Sequence, residues 1–233
     1  MTDDRWTKLH REVSACRRCP RLVAWREEVA RKKRRAYKDW DYWGKAVPGF
    51  GDPDARLLII GLAPGAHGAN RTGRVFTGDG SGETLFGALY RAGFANQPTS
   101  KHREDGLALT DVYITAVARC VPPQNRPNRA EMDACRDYLV RELALLEEVE
   151  VVLVLGQIAF NEYRRTLREL GYELPRLDFT HGACYDLGPG LPRLLVSYHP
   201  SRQNTQTGRL TLEMFDAVFE TARELLAGAE CPA

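Results

Sequence analysis

The residues best able to do chemistry fall into four groups. The first lies in GLAPGAHGANRTGRVFTGDGSG, positions 61–82, where seven glycines accompany His67, Asn70, Arg71, Arg74 and Asp79. Glycine turns through positive φ without steric cost, so this stretch can bring backbone amides and polar side chains close to a ligand. Asp79 is its only acid, and a carboxylate beside a developing positive charge can stabilise it and orient water. The second group is the turn His199-Pro200-Ser201 with Arg202 and Gln203 after it. The third is Asn125, inside RCVPPQNRP at 119–127. The fourth is sulfur: Cys16 and Cys19 form a CxxC turn closed by Pro20, and Cys120 and Cys135 form a looser pair. Four thiolates can close a tetrahedral zinc site or hold an iron–sulfur cluster, and composition does not choose between them. Cys184 and Cys231 show no partner pattern and read as structural or exposed thiols.

Alternating strands and helices must position these groups. Apolar runs predict strands over 56–61, 111–117, 151–155 and 194–198. Helices are expected over 4–13, 20–36, 82–92, 129–147, 157–170 and 210–226, with Ser81 capping the third and Asn128 the fourth. Residues 171–192 read as irregular. Short apolar strands alternating with helices predict an α/β chain with a parallel sheet covered on both faces. The glycine loop, the Asn125 loop, Gly156 and the His199 turn then meet at the carboxyl edge of one sheet, where such folds bind ligands.

Composition bounds the class. The 233 residues are 43% hydrophobic and 27% charged, with a net charge of +2, which fits one globular domain, 1–233, with the segment 1–50 packed on it. The first residues are charged without an apolar core, so no signal peptide is expected. No run approaches the roughly 20 apolar residues of a membrane helix, and a cytoplasmic location follows. In that setting six cysteines favour ligands or free thiols over disulfides. The basic run Arg31-Lys32-Lys33-Arg34-Arg35 is placed to meet phosphates or to form a solvated helix face.

Taken together, the motifs at 61–82, 119–127 and 197–211 (SYHPSRQNTQTGRLT) and the four cysteines resemble the uracil-DNA glycosylase superfamily, and most closely its iron–sulfur, B-type family five. The resemblance runs from Cys16 to Thr211. It implies a three-layer α/β/α sandwich around a four-stranded parallel sheet. It implies a [4Fe–4S] cluster on Cys16, Cys19, Cys120 and Cys135, and hydrolysis of the N-glycosidic bond of uracil or another altered base in DNA. Such an enzyme takes the base out of the stack first. Asp79 would stabilise the sugar cation and orient water, His199 would hydrogen-bond the departing base, and Asn125 would orient sugar, water or phosphate. Phe76 would stack on the flipped base. Backbone amides from Gly61 through Ala63 to Gly65 would line the pocket, Ser197 and Ser201 would hold phosphates, and Arg202 and Gln203 would fill the vacated stack.

Two departures matter. Ala63 stands where many relatives carry a carboxylate or another polar residue, and Ala116 stands where A-type relatives carry an asparagine that reads uracil. Looser base selectivity is expected, including hypoxanthine and hydroxymethyluracil. No lysine stands in a motif, so no Schiff base and no strand cleavage is expected. With no heptad or broad apolar stripe, a monomer at the nucleoid is expected. Two other readings use the same residues: a hydrolase of small nucleosides or nucleotides, which needs no inserting loop, and a non-catalytic nucleic-acid module, which needs neither Asp79 nor His199.

Overall fold

The apolar runs do form one sheet. The computed structural model describes residues 2–231, so Met1, Pro232 and Ala233 of the expected domain lie outside the described residues. Strands β1 (Phe50–Gly51), β2 (Leu57–Gly61), β3 (Val112–Ala116), β4 (Val151–Leu155), β5 (Cys184–Tyr185) and β6 (Arg193–Ser197) are ordered β1-β3-β2-β4-β6-β5. The inner four are parallel, as expected. The outer two are antiparallel additions beyond the four expected strands, so among the described residues the sheet has six strands and is mixed. The helices are α1 (Thr2–Ala15), α2 (Pro20–Lys32), α3 (Ala69–Thr72), α4 (Gly80–Arg91), α5 (Arg129–Leu145), α6 (Gln157–Glu169), α7 (Arg202–Gln206) and α8 (Leu212–Leu226).

The pleat divides the core into two layers. Leu58, Ile60, Val152, Val154, Leu194 and Val196 face α1, α5 and α6. Leu57, Ile59, Ile114, Leu153, Leu155 and Leu195 face α4 and α8. A strand buried on both faces is a continuous apolar run, which is why β2 and β4 were legible. Each buried aliphatic side chain contributes roughly 1.5–3 kcal/mol, against about 1 kcal/mol for a backbone hydrogen bond at an edge. The N-terminal segment packs on the same core: Trp6 meets Tyr113 with ring centroids 4.7 Å apart, and His10 Nε2 is 3.0 Å from the Tyr113 hydroxyl.

Three local expectations change. Helix α2 stops at Lys32 rather than 36, because its buried face ends at Val29 and Lys33 turns to φ 52°. Helix α4 begins at Gly80, and its cap is Asp79 rather than Ser81: Asp79 Oδ1 accepts from the N–H groups of Ser81 and Gly82 at 3.1 Å each. Cys184 and Cys231 are disulfide-bonded across 47 residues, with Cα atoms 5.4 Å apart. The expectation of thiols fails there because β5 pairs with β6 and the turn after α8 returns to the same sheet edge. Asn128 does cap α5, in a reciprocal box with Glu131.

Candidate active site

Register places the motifs side by side. Gly61 pairs with Ala116, and Leu155, just before Gly156, pairs with Ser197. Above this edge opens a cleft of about 640 Å³, within the range that holds a nucleotide-sized ligand. Ala63, Gly65, Phe76, Asp79, Asn125 and His199 all line it, as do Ser201, Arg202 and Gln203. A hollow of similar size lies under the Gly188-Pro189-Gly190 turn, and none of the expected site residues lines it.

The glycine loop is pinned rather than mobile. Its two arginines, which read as loop cations, are buried structural pins. The Arg71 guanidinium lies between the rings of Tyr37 and Trp40, 4.0 and 3.9 Å from their centroids. Its Nε donates to the His67 carbonyl at 2.7 Å and Nη2 to that of Gly78 at 2.9 Å. Arg74 forms a buried pair with Asp105 at 2.8 Å and donates to Thr77 Oγ1 and Ser100 Oγ. A buried guanidinium with several acceptors fixes the backbone that supplies them.

That fixed backbone presses two side chains into place. Phe76 holds φ 51°, uncommon for an aromatic residue and a mark of local strain. A Cβ at Gly61 would stand 2.7 Å from Phe76 Cζ, and one at Gly82 would overlap the Phe76 carbonyl. The Asp79 carboxylate lies against the Gly65–Gly68 turn: a Cβ at Gly65 would come within 2.7 Å of Oδ2, and one at Gly68 would overlap it. Asp79 Oδ1 is used in the helix cap, while no donor among the described residues meets Oδ2. Burial raises the Asp79 pKa above its ordinary value, opposed by the Ser81 and Gly82 amides and by the Arg202 charge.

His199 closes the other side, its ring stacked 5.8 Å from Phe76. Its carbonyl accepts from Ser201 N and Asn204 Nδ2, both at 2.8 Å, so Asn204, which no sequence signal marks, shapes this turn. Burial pulls the His199 pKa down to about 4, so the imidazole is neutral at neutral pH. Asn125 sits exposed on the rim, and both it and Gln124 have positive φ (56° and 55°). Arg202 packs over Gly80 beside Asp79. Ser197 is misplaced by the sequence reading. It is buried in β6, with its hydroxyl donating to the Tyr198 carbonyl at 2.9 Å and 3.4 Å from His181 Nδ1, and it does not line the cleft. Gly61 likewise acts under Phe76 rather than at the surface. Arg34, Tyr37 and His67 also line the cleft. The basic run and the aromatic residues after it were the available signal.

Cys16, Cys19, Cys120 and Cys135 are unpaired, on the α1–α2 turn, the loop after β3 and α5. Burial pushes the Cys19 thiol up to about 11 and the Cys120 thiol to about 12, with smaller contributions from the neighbouring cysteines. Among the described residues no group of three or more His, Cys, Asp or Glu stands as ligands of one ion. Next to them Arg26 is almost fully buried, donating to Cys120 Sγ and to the Cys16 carbonyl at 2.9 Å each. Its recorded partners among the described residues include no carboxylate, and its Nε is unpaired.

The Uracil DNA glycosylase superfamily model matches residues 48–223. The Type-5 uracil-DNA glycosylase of Thermus thermophilus is 53% identical over 213 residues, 91% of this chain and 94% of that protein. That of Mycobacterium tuberculosis is 50% identical over 224 residues, covering 96% and 82%, and that of Pyrobaculum aerophilum is 44% identical over 216, covering 93% and 90%. With the sheet edge, the glycine loop and the His199 turn in place, these matches show that the chain belongs to the uracil-DNA glycosylase superfamily and, within it, to the type-5 family.

Proposed function

We propose that this chain is a monofunctional DNA glycosylase of base-excision repair, hydrolysing the bond between deoxyribose and uracil or another deaminated base. One observation carries the reading: Asp79, whose Oδ2 meets no donor among the described residues, and the neutral ring of His199 line one cleft with Phe76. The base flips out of the duplex and stacks on Phe76. As the C1′–N bond breaks, positive charge grows on the sugar and negative charge on the base. Asp79, ionised, stabilises the first and orients the attacking water, whose proton passes to the carboxylate and on to solvent. A neutral His199 N–H stabilises the second, and the base leaves as an anion that solvent protonates. Ala63 and Ala116 leave the base edge without a polar selector, which supports activity on several bases. The protein acts as a monomer on nucleoid DNA in the cytoplasm. Among the described residues no helix is long and apolar enough to cross a membrane.

The four cysteines hold a [4Fe–4S] cluster in this reading. What supports it is Arg26: a buried cation without a carboxylate is costly, and an anionic cluster beside Cys120 compensates it. Bound there, the cluster would supply a structural cross-link between the α1–α2 turn, the loop after β3 and α5. Iron and sulfide analysis of the purified protein, with Cys16→Ser as control, tests this. The activity is tested with labelled duplexes carrying uracil, hypoxanthine or xanthine, treated with alkali after incubation. Abasic product from wild type is expected. No product from any base, with DNA binding intact, rejects the enzyme in favour of a binding module.

A further inference from the structure

The wall of the cleft next to the glycine loop comes from a segment that the glycosylase reading leaves idle. Arg34 and Tyr37, between α2 and β1, line it together with His67. Tyr42 holds His67 from behind. The Tyr42 hydroxyl accepts from the Arg34 backbone N–H at 3.4 Å and lies 3.1 Å from His67 Nδ1. Among the described residues no other acceptor meets this hydroxyl, so its proton goes to Nδ1. His67 then carries its own proton on Nε2, and no partner among the described residues meets Nε2. A ring fixed in one tautomer by a second residue is a pre-oriented donor.

The surroundings favour an anionic acceptor. Arg34 is exposed on the same wall. Arg71, which holds the His67 carbonyl, is buried, with no carboxylate in ion-pair contact among the described residues and with Nη1 unpartnered. Among the described residues Asp79 is the only acid lining the cleft. Burial, together with Arg34 and Arg71, keeps the His67 pKa below its ordinary value, so the ring donates as a neutral group. The surfaces suited to the base, Phe76, Ala63 and Ala116, are apolar. We propose that His67, oriented by Tyr42, donates Nε2–H to a non-bridging phosphate oxygen beside the flipped nucleotide, with Arg34 supplying the charge. His67 is thus a binding residue and Tyr42 a positioning residue. This inference rests on the glycosylase reading for its ligand, a DNA strand.

The test compares wild type, His67→Ala, His67→Gln and Tyr42→Phe in single-turnover base release on uracil, hypoxanthine and xanthine duplexes. A lost hydrogen bond to a charged group predicts a ~10-fold higher half-saturation concentration for His67→Ala. The rise is expected to be equal on all three bases, with the rate at saturation nearly unchanged. His67→Gln, which keeps a donor, recovers most of the loss. Tyr42→Phe raises half-saturation as well, and the double variant with His67→Ala is no worse than His67→Ala alone. The same enzymes are then run on duplexes in which one phosphate at a time, two on each side of the lesion, is a neutral methylphosphonate. The His67→Ala penalty is expected to vanish at one of these positions. A penalty that differs between bases, or that persists at every position, overturns the assignment, and an unchanged half-saturation for Tyr42→Phe overturns the positioning role. Absence of base release by wild type rejects the glycosylase reading itself and is seen before any variant is compared.

Discussion

Asp79 has two jobs in this fold, and two substitutions separate them. Its Oδ1 caps α4 through two hydrogen bonds of 3.1 Å, while Oδ2 lies against the Gly65–Gly68 turn in the cleft wall with no donor among the described residues. Asparagine keeps an oxygen for the cap and ranks level with aspartate there, whereas alanine forfeits about 0.5–2 kcal/mol. The charge contributes in the opposite sense. The folded pKa of Asp79 is raised by burial, so the native state holds the proton more tightly than the unfolded chain. Above that raised pKa the ionised group costs stability, and a neutral asparagine removes the cost. Asp79→Asn should therefore melt at or above the wild-type temperature at pH 7. Asp79→Ala sheds the same charge but also loses the cap, so it should melt below Asp79→Asn, by about 2–4 °C for each kcal/mol of cap energy lost in a chain of this size. Both should lose activity by a factor of about 10² to 10⁴, the range for a positioned base or electrostatic stabiliser. Single-turnover release of uracil, followed by alkaline cleavage, and thermal melts by circular dichroism read the two effects independently. An Asp79→Asn enzyme retaining more than about a tenth of the wild-type rate would falsify the catalytic assignment, because that range begins near a hundredfold.

Acid should inactivate through Asp79: as pH falls through its raised pKa the carboxylate protonates, and the rate declines in a limb that Asp79→Asn lacks. His199, held at about 4 against 6.5 when unfolded, adds no limb near neutrality, but the stability it contributes is full above 6.5 and drains as pH falls toward 4, which urea titrations at pH 7 and pH 4.5 would register. Reducing the Cys184–Cys231 disulfide opens a 47-residue span and should cost about 4 kcal/mol by loop entropy. A melting curve unchanged by reductant would show that the bond does not restrain the unfolded chain. Glu142 Oε2 is 2.5 Å from Arg119 Nη2 and accepts from Thr115 Oγ1 at 2.6 Å, all buried. Glu142→Gln leaves Arg119 charged and unpaired and should cost about 3–5 kcal/mol in denaturant unfolding.

Much of this architecture could be read from residue order, for identifiable reasons. The runs at 57–61 and 151–155 are apolar throughout because both faces of each strand are covered. Asn128 with Glu131 spells a reciprocal cap. The edge strands were illegible because two residues cannot show a period of two. The cleft residues Asp79, His199 and Phe76 were legible because each follows a strand or precedes a helix within a long motif. Arg71 and Arg74 misled: an arginine in a glycine loop reads as a ligand for anions, and the aromatic rings that bury Arg71 lie more than thirty positions earlier. Ser197 misled through pleat geometry. It opens the motif in sequence, but it still belongs to β6 as its last residue, and its side chain turns into the layer that holds His181.

The crowding around Asp79 and Phe76 also bears on how this enzyme can change over generations. Gly61, Gly65, Gly68 and Gly82 have no room for even a methyl group without displacing Phe76 or Asp79. Mutational drift is closed at these sites by volume, whatever base the enzyme is selected to remove. Ala63 and Ala116 border the same cleft with a side chain already accommodated. New substrate preferences are therefore accessible by single steps at the two alanines, and a randomised library of the loop should return glycine at the four crowded positions and diversity at position 63.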